Sequence, residues 1–341
     1  MGNNKNFWHN KNIFITGIDG FIGGNLAKRL YSSGANVFGL IRDNKKDTYI
    51  YFEDLADKIT LINGDIVNRD LLSRIISEER IDCVFHLAAQ VEVGVAISNP
   101  YLTFETNIRG TYSLLEAIRI HPVRSVVIAS TDKSYGSYGI DQMPYKETYP
   151  LIPKYPYDVS KACADIIAQS YTSELFNLPL IVTRFCNIYG PGQLNFSAII
   201  PDSIRSALGY STFIPRGNGK QVRDFIYVDD VVNLYLMISQ ALLNDPKRIA
   251  GEIFNAGTNS PVEMRDVIRQ IYSLIGNDPD YMIIEEKMLG NETEGEIDHQ
   301  YMDFQKVNNY FGWEPEHSLK EGLEKTIEWF IQYLKQYSKR E

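Results

Sequence analysis

The sequence predicts an α/β fold: a doubly wound parallel sheet followed by a smaller C-terminal domain. Three observations predict it. Short β-rich apolar runs alternate with amphipathic stretches through the first half, the pattern of βαβ units whose parallel strands are covered on both faces. Glycines recur every three residues, at Gly17, Gly20 and Gly23, between the first apolar run and the first amphipathic stretch. Beyond about residue 189 the segments shorten and the alternation fades.

Asn12 to Thr16 (NIFIT) reads as a strand, and Phe21 to Ser33 as the helix after the glycine turn. Further strands are expected at Asn36 to Ile41, Ile59 to Asn63, Cys83 to Leu87, Ser125 to Ser130 and Leu180 to Arg184. Helices are expected at Leu71 to Glu79, Thr103 to Ile120 and Tyr157 to Phe176. Gly190-Pro191-Gly192 is a loop signal, after which Ile199 to Leu208 reads as a helix. Val228 to Leu243 and Glu252 to Ala256 are expected to return to the first domain. The last helix, Leu319 to Tyr337, is amphipathic with a basic end, as a helix C-terminus prefers. The domains expected are 1–188, with returns near 228–257, and mainly 189–341.

Composition bounds the function. The chain has 341 residues, 44% hydrophobic and 23% charged, enough for a sizeable core and about two domains. That excludes a disordered tail, a fibrous repeat and a disulfide-stapled mini-protein. Lys and Arg total 34 against 43 Asp and Glu, a net charge of -9. Such a surface argues against nucleic-acid binding, which needs clustered cations, but leaves room for a locally basic site that takes a small anion. Cys83, Cys163 and Cys186 are widely spaced in apolar stretches, so reduced thiols in the cytoplasm are expected, with no disulfide and no metal framework. No run approaches the ~18 apolar residues of a membrane span. The stretch from Met1 to Asn12 has no apolar signal core, and Asn6 stands where an acylation motif beginning Met1-Gly2 requires Ser or Thr.

The glycine loop, Gly17-Ile18-Asp19-Gly20-Phe21-Ile22-Gly23, carries the first functional signal. A tight strand-to-helix turn without side chains lets the backbone approach a pyrophosphate at a helix N-terminus. Asp65, at a strand end, is placed either to accept from an adenine amino group or to cap a helix. At the end of the second strand stand Arg42 and Asp43. A carboxylate there favours the ribose hydroxyl of NAD and an arginine favours the phosphate of NADP, so the choice stays open.

Tyr157 and Lys161 lie four apart on one helical face. An ammonium beside a phenol favours the phenolate, which can take a hydroxyl proton while hydride leaves the same carbon. Thr131-Asp132-Lys133 follows the strand Ser125 to Ser130, at the strand end where open α/β sheets bind ligands. That run offers a hydroxyl, a carboxyl and an amine.

With these motifs the chain resembles the extended short-chain dehydrogenase/reductase family that modifies nucleotide sugars. The resemblance also rests on His86-Leu87-Ala88-Ala89, Asn107 with Gly110-Thr111, the run Arg184 to Gly192 (RFCNIYGPG), and the run Arg223 to Asp230 (RDFIYVDD). It implies a Rossmann-type domain holding NAD or NADP, tightly bound and recycled within each turnover. Gly17, Gly20, Phe21, Ile22 and Gly23 would cradle the cofactor. Arg42, Asp65, Ile66, Leu87, Ala88, Ala89, Tyr157 and Lys161 would line it. The second domain would hold a nucleoside-diphosphate hexose. Tyr157 would be the base with Lys161 its partner, Thr131 would meet the sugar 4-oxygen, and Asn187 and Arg223 would meet the diphosphate. Family members pair through the two long helices, so a homodimer is implied.

Within this family, 4-epimerases and 4,6-dehydratases share the first oxidation at C4. The dehydratases resemble this chain in placing Asp after Thr as the acid that expels the 6-hydroxyl. Many follow with Glu as the C5 base, whereas this chain has Lys133, similar to the CDP-glucose 4,6-dehydratases and some inverting UDP-N-acetylglucosamine dehydratases. The resemblance therefore implies a CDP-glucose 4,6-dehydratase-like enzyme, with a 4-epimerase as the alternative. Lys133 acts as the C5 base only when neutral; when charged it stabilises the enolate and another group takes the proton. Two departures stand out. Ile22 occupies a position where the CDP-glucose enzymes tend to carry lysine, and Glu296 to Gln300 contains no arginine, with His299 the candidate replacement.

Overall fold

A computed structural model of the chain describes residues 7–289, 291 and 297–337. The acylation motif from Met1 to Asn6, Glu296 and the basic residues Lys339 and Arg340 lie outside the described residues.

Seven strands form one sheet: β1 (Asn12–Thr16), β2 (Asn36–Ile41), β3 (Thr60–Asn63), β4 (Cys83–His86), β5 (Ser125–Ala129), β6 (Leu180–Phe185) and β10 (Ile253–Ala256). Their spatial order is β10-β6-β5-β4-β1-β2-β3. The pairs from β3 through to β6 are parallel, with Thr16 of β1 level with Leu40 on one side and His86 on the other. The order reverses at β1 and β4, and such a switch point opens a crevice at the strand C-termini. The doubly wound parallel sheet expected from the alternating pattern is what the chain forms.

The strands hold together because both faces are apolar. Phe14, Leu40, Val84, Val126, Ile128 and Val182 share one buried cluster with Leu72, Ile75 and Ile76 of helix Arg69–Glu78 and with Leu114, Leu115 and Ile118 of helix Gly110–Ile120. Burying an aliphatic side chain of this size stabilises by about 1.5–3 kcal/mol. Leu114, Leu115 and Ile118 are thus core, while Ile166, on the opposite side of its helix, is 57% exposed.

One expected helix is broken. Thr103 to Ile120 reads as continuous, but the chain forms helix Pro100–Phe104, a π-helical turn at Glu105–Arg109 and then helix Gly110–Ile120. The extra residue in the wider turn turns Asn107 inward, where it is buried, and π-bulges of this kind recur at functional sites. The remaining helix and strand boundaries of the first half shift by a few residues at most, the largest being the helix expected to reach Phe176, which ends at Ser170.

The chain divides into two compact units. The first comprises Met1–Gly136, Pro150–Arg184 and Val232–Phe254; the second comprises Ser137–Tyr149, Phe185–Val231 and Asn255–Glu341. In the second, β7 (Asn187–Tyr189) pairs in parallel with β9 (Phe225–Tyr227). A small sheet of order β11-β8-β12 joins β8 (Val222–Arg223), β11 (Val262–Glu263) and β12 (His299–Gln300). Tyr189, Phe225 and Tyr227 pack edge-on in its core.

Candidate active site

The glycine loop is shaped by what cannot fit in it. Gly17 has φ 72°, and a Cβ there would lie 2.8 Å from the Ala88 backbone nitrogen. A Cβ on Gly23 would overlap the Gly17 carbonyl, so helix Phe21–Ser32 sits directly against the turn. Gly20 is its N-cap and no acidic residue stands in its first turn. A helix start with no side-chain cap and a positive end potential fits a diphosphate. Asp19, within the loop, has its carboxyl held above the usual range by burial, with Lys45, Asp43 and Arg42 acting on it electrostatically. Arg42 is exposed and pairs with Asp43 at 3.3 Å. Asp65 is also exposed. It accepts from the Val67 amide at 3.1 Å rather than capping a helix; Asn68 is the cap. Ile66 is buried and would meet a Cβ on Gly110 at 2.7 Å.

The two strand ends at the crevice are tied by a hydrogen-bond chain. The Thr111 hydroxyl donates to the Asn107 carbonyl at 2.6 Å, so it accepts from His86 Nε2 at 2.9 Å. His86 Nδ1 therefore accepts from the Thr16 hydroxyl at 2.8 Å. Thr16 Oγ1 in turn accepts the Leu87 and Ala88 amides, each at 3.2 Å. This fixes the imidazole as the neutral Nε2–H form. Burial, with Lys161 adding its charge, pulls its pKa down to about 3. His86, quoted for its motif, is thus a proton-inert strut that sets the Leu87-Ala88 backbone beside Gly17.

Thr131, Asp132 and Lys133 follow β5 as expected. Thr131 caps the 3-10 turn Asp132–Tyr135, and helix Pro156–Ser170 packs against that turn. Asp132 is buried, and Thr131 and Lys133 are half-buried. The Thr131 hydroxyl donates to Asp132 at 3.1 Å. Lys161 Nζ donates to the Ala129 carbonyl, the last residue of β5, at 2.6 Å, and burial lowers its pKa to about 8 against the opposing charge of Asp165. The Tyr157 phenol is pushed up, by burial first and then by the charges of Asp158 and Asp132; a hydrogen bond with Thr131 works the other way. The sequence expectation that Lys161 draws the phenol down is not met in the protein alone. The charges of Asp158 and Asp132 act on the phenol, and Lys161 donates to the Ala129 carbonyl.

Asp158 was not among the residues singled out from sequence. It is 8% exposed, and burial raises its carboxyl to about 6 while the Lys133 charge pulls it down. Asn107, read only as part of a motif, also reaches inward. Its Nδ2 donates to Ser160 Oγ at 2.8 Å and to the Gln90 carbonyl at 3.0 Å, and its Oδ1 accepts the Gln90 amide at 2.7 Å. Thr103 and Thr111, four residues to either side, are buried as well, and this polar row at helical spacing is the signal that finds it.

In the second unit, Asn187 Nδ2 donates to the Asp224 carbonyl at 3.2 Å. Arg223 NH1 donates to the Val222 carbonyl at 2.9 Å and the Asp298 carbonyl at 3.3 Å. Its neighbour Asp224 does not pair with it; that carboxylate is buried and accepts the Thr258 amide at 2.7 Å and the Thr258 hydroxyl. His299 lies level with Val222 in the small sheet. Among the described residues no cluster of three or more His, Cys, Asp or Glu side chains is placed to hold a metal ion. No described helix is long and apolar enough to cross a membrane.

A family model described as GDP-mannose 4,6 dehydratase matches residues 14–326. The chain is 31% identical over 334 residues to the trifunctional UDP-glucose 4,6-dehydratase/UDP-4-keto-6-deoxy-D-glucose 3,5-epimerase/UDP-4-keto-L-rhamnose-reductase of Arabidopsis thaliana. That match takes in 94% of this chain and 47% of the relative, so the chain spans about half of that protein's length. Among solved structures, UDP-glucose 4-epimerase of Thermotoga maritima superposes with a TM-score of 0.83 at 29% identity, covering 95% of this chain and 99% of that one. The dTDP-glucose 4,6-dehydratase of Bacillus anthracis, solved with NAD, superposes with a TM-score of 0.81 at 28% identity, covering 97% of this chain and 100% of that one. A match running through nearly the whole sheet and on into the C-terminal helix places the chain in the GDP-mannose 4,6 dehydratase family of extended short-chain dehydrogenases/reductases.

Proposed function

We propose that this protein is a nucleotide-sugar 4,6-dehydratase that uses NAD. The observation that carries the reading is a buried carboxyl, Asp132, hydrogen-bonded to Thr131 in the turn that also faces Tyr157. A 4-epimerase needs a base and a hydroxyl at C4. A second, buried acid next to them serves the departure of an oxygen.

When bound, NAD would supply a hydride acceptor for C4, a hydride donor for C6 and a positive charge that favours the phenolate. The chain's residues do the rest. The turn at Gly17, Gly20 and Gly23, beside the Leu87-Ala88 backbone that Thr16 sets, would hold the cofactor. Tyr157 takes the 4-hydroxyl proton, Thr131 holds the 4-oxygen and Lys161 orients the ribose. Asp132, protonated, gives its proton to the leaving 6-hydroxyl. Asn187 and Arg223 would meet the diphosphate, a guanidinium being suited to bind it in an acidic protein.

The substrate is a nucleoside-diphosphate hexose. The relatives above carry UDP- and dTDP-sugars in their names, whereas Asp132-Lys133 resembles the CDP-glucose enzymes. The exposed side chains of Ile97 (64%), Tyr101 (73%) and Ile166 (57%), on helices that pack together, support a homodimer. Three free cysteines, two of them buried, support a reducing cytoplasm.

The test is mass spectrometry of CDP-, dTDP-, GDP- and UDP-hexoses incubated with the purified protein, first alone and then with NAD or NADP. Loss of one water from one sugar establishes dehydration and names the nucleotide. A changed retention time at constant mass makes the protein an epimerase and reassigns Asp132 and Lys133 to substrate positioning.

A further inference from the structure

A 4,6-dehydratase must remove the proton at C5, and the chain has no glutamate after Asp132 to do it. Lys133 stands there instead. An ammonium cannot accept a proton, so a charged Lys133 leaves the reaction without a base.

Helix Pro156–Ser170 supplies a carboxylate at this point. At 100° per residue, Asp158, Lys161, Ala162 and Asp165 form one stripe of the helix, and all four are buried. The helix packs against the 3-10 turn that carries Asp132 and Lys133. Asp158 directly follows Tyr157, and its charge acts on the phenol more strongly than that of Asp132. Among the described residues Lys133 is the cation whose charge acts on Asp158, and no hydrogen-bond donor is fixed on its carboxylate. Structural acids inside a protein are normally held by donors; Asp165, about two turns further along the same stripe, is held by Arg184 through two nitrogens. A carboxylate in a first helical turn also gains from the helix dipole, so the test must separate that role from chemistry.

We propose that Asp158 is the base that removes the C5 proton, with Lys133 as the ammonium that keeps its carboxylate ionised and steadies the enolate. The inference rests on the dehydratase reading above. The C5–H bond breaks, its proton passes to a carboxylate oxygen of Asp158, and its electron pair enters the C4–C5 enolate. That pair expels the 6-hydroxyl, which takes a proton from Asp132 and leaves as water. Bound NAD would supply the hydride that C6 needs, and Asp158, its carboxyl proton exchanged with solvent, protonates C5. One water is lost and the sugar is neither oxidised nor reduced overall. A base that titrates not far below neutral pH suits this step.

The experiment uses the NAD-loaded protein with the nucleotide hexose that loses water, in deuterium oxide. It reads water loss, deuterium at C5 and the near-ultraviolet absorbance of reduced nicotinamide. Asp158→Asn should still oxidise C4, so reduced nicotinamide accumulates, while C5 exchange and water loss fall at least ~100-fold. Tyr157→Phe should accumulate none. Lys133→Met should keep part of the exchange. Asp158→Asn with exchange within a few-fold of the parent, together with its abolition in Lys133→Met, makes Lys133 the base and overturns the proposal. Should Asp158→Asn fail to fold, Asp158→Glu decides. Retained exchange with a displaced pH profile supports the proposal, and an unchanged profile overturns it. Failure of the dehydratase reading itself shows earlier, as no water loss by the parent protein from any sugar, and removes this proposal with it.

Discussion

Arg184 grips Asp165 through two nitrogens, Nε at 2.8 Å and NH2 at 3.0 Å, while its NH1 donates to the Tyr135 hydroxyl at 2.9 Å. The guanidinium also lies 4.9 Å from the Tyr135 ring centroid. One side chain from β6 therefore fixes both the helix that carries Tyr157 and Lys161 and the turn that carries Asp132 and Lys133. The pair is buried to within 3%, so each charge depends on the other.

Removing one partner strands the other. Asp165→Asn or Arg184→Met should cost about 3–5 kcal/mol in denaturant unfolding, whereas the double change to Leu and Met should cost less than either single change. Equal or additive losses would show that the fork contributes no more than packing.

The glycine turn gives a second expectation. A Cβ on Gly23 meets the Gly17 carbonyl, which is backbone and cannot rotate away. Gly23→Ala should destabilise by about 1–3 kcal/mol and weaken NAD binding, read by equilibrium dialysis. Unchanged binding would move the cofactor away from this turn.

His86 sets the acid limit of stability. Its folded pKa, about 3, lies below the ordinary 6.5, so below that value the unfolded chain binds a proton that the folded chain refuses. Stability is full above about 6.5 and falls as pH drops, by about 1.4 kcal/mol per unit for one proton. His86→Gln keeps a neutral donor and acceptor without the titration. The stability gap between the two proteins should change by roughly 1–2 kcal/mol between pH 7 and pH 5, in favour of the glutamine variant. A constant gap would assign the acid limit to other groups.

The sheet was legible because its signals are local. Alternating apolar runs and the spacing of Gly17, Gly20 and Gly23 determine strand, turn and helix without reference to distant residues. The site was legible only in part. Thr131, Asp132, Tyr157 and Lys161 sit in recognisable runs, but their proton affinities depend on neighbours that the linear order hides. Tyr157 is pushed up by burial first and then by the residue next to it, on a helical face that spacing alone treats as generic. The π-turn at Asn107 has no composition signature, because the stretch around it satisfies a regular helix equally well. The short strands β8, β11 and β12 are two residues each, too brief for any periodicity to register.

Asp158 is a cost to the fold if it serves the chemistry. Burial raises its carboxyl from 3.8 to about 6, so between those values the folded chain holds a proton that the unfolded chain has released. Stability from this group therefore falls as pH rises through that window and stays lower above it. Asp158→Asn removes the penalty. The variant should be more stable than the parent at pH 7, on the order of 1–2 kcal/mol after allowing for solvent screening. The advantage should vanish below about pH 4. His86 titrates over part of the same range in both proteins, so it cancels in the difference. Denaturant midpoints at pH 7 and pH 4 read the effect directly. A variant less stable than the parent at pH 7 would mean that the carboxylate holds the helix start in place. A more stable variant that no longer exchanges the C5 proton would show a buried charge kept at the expense of stability, which a purely structural role does not explain.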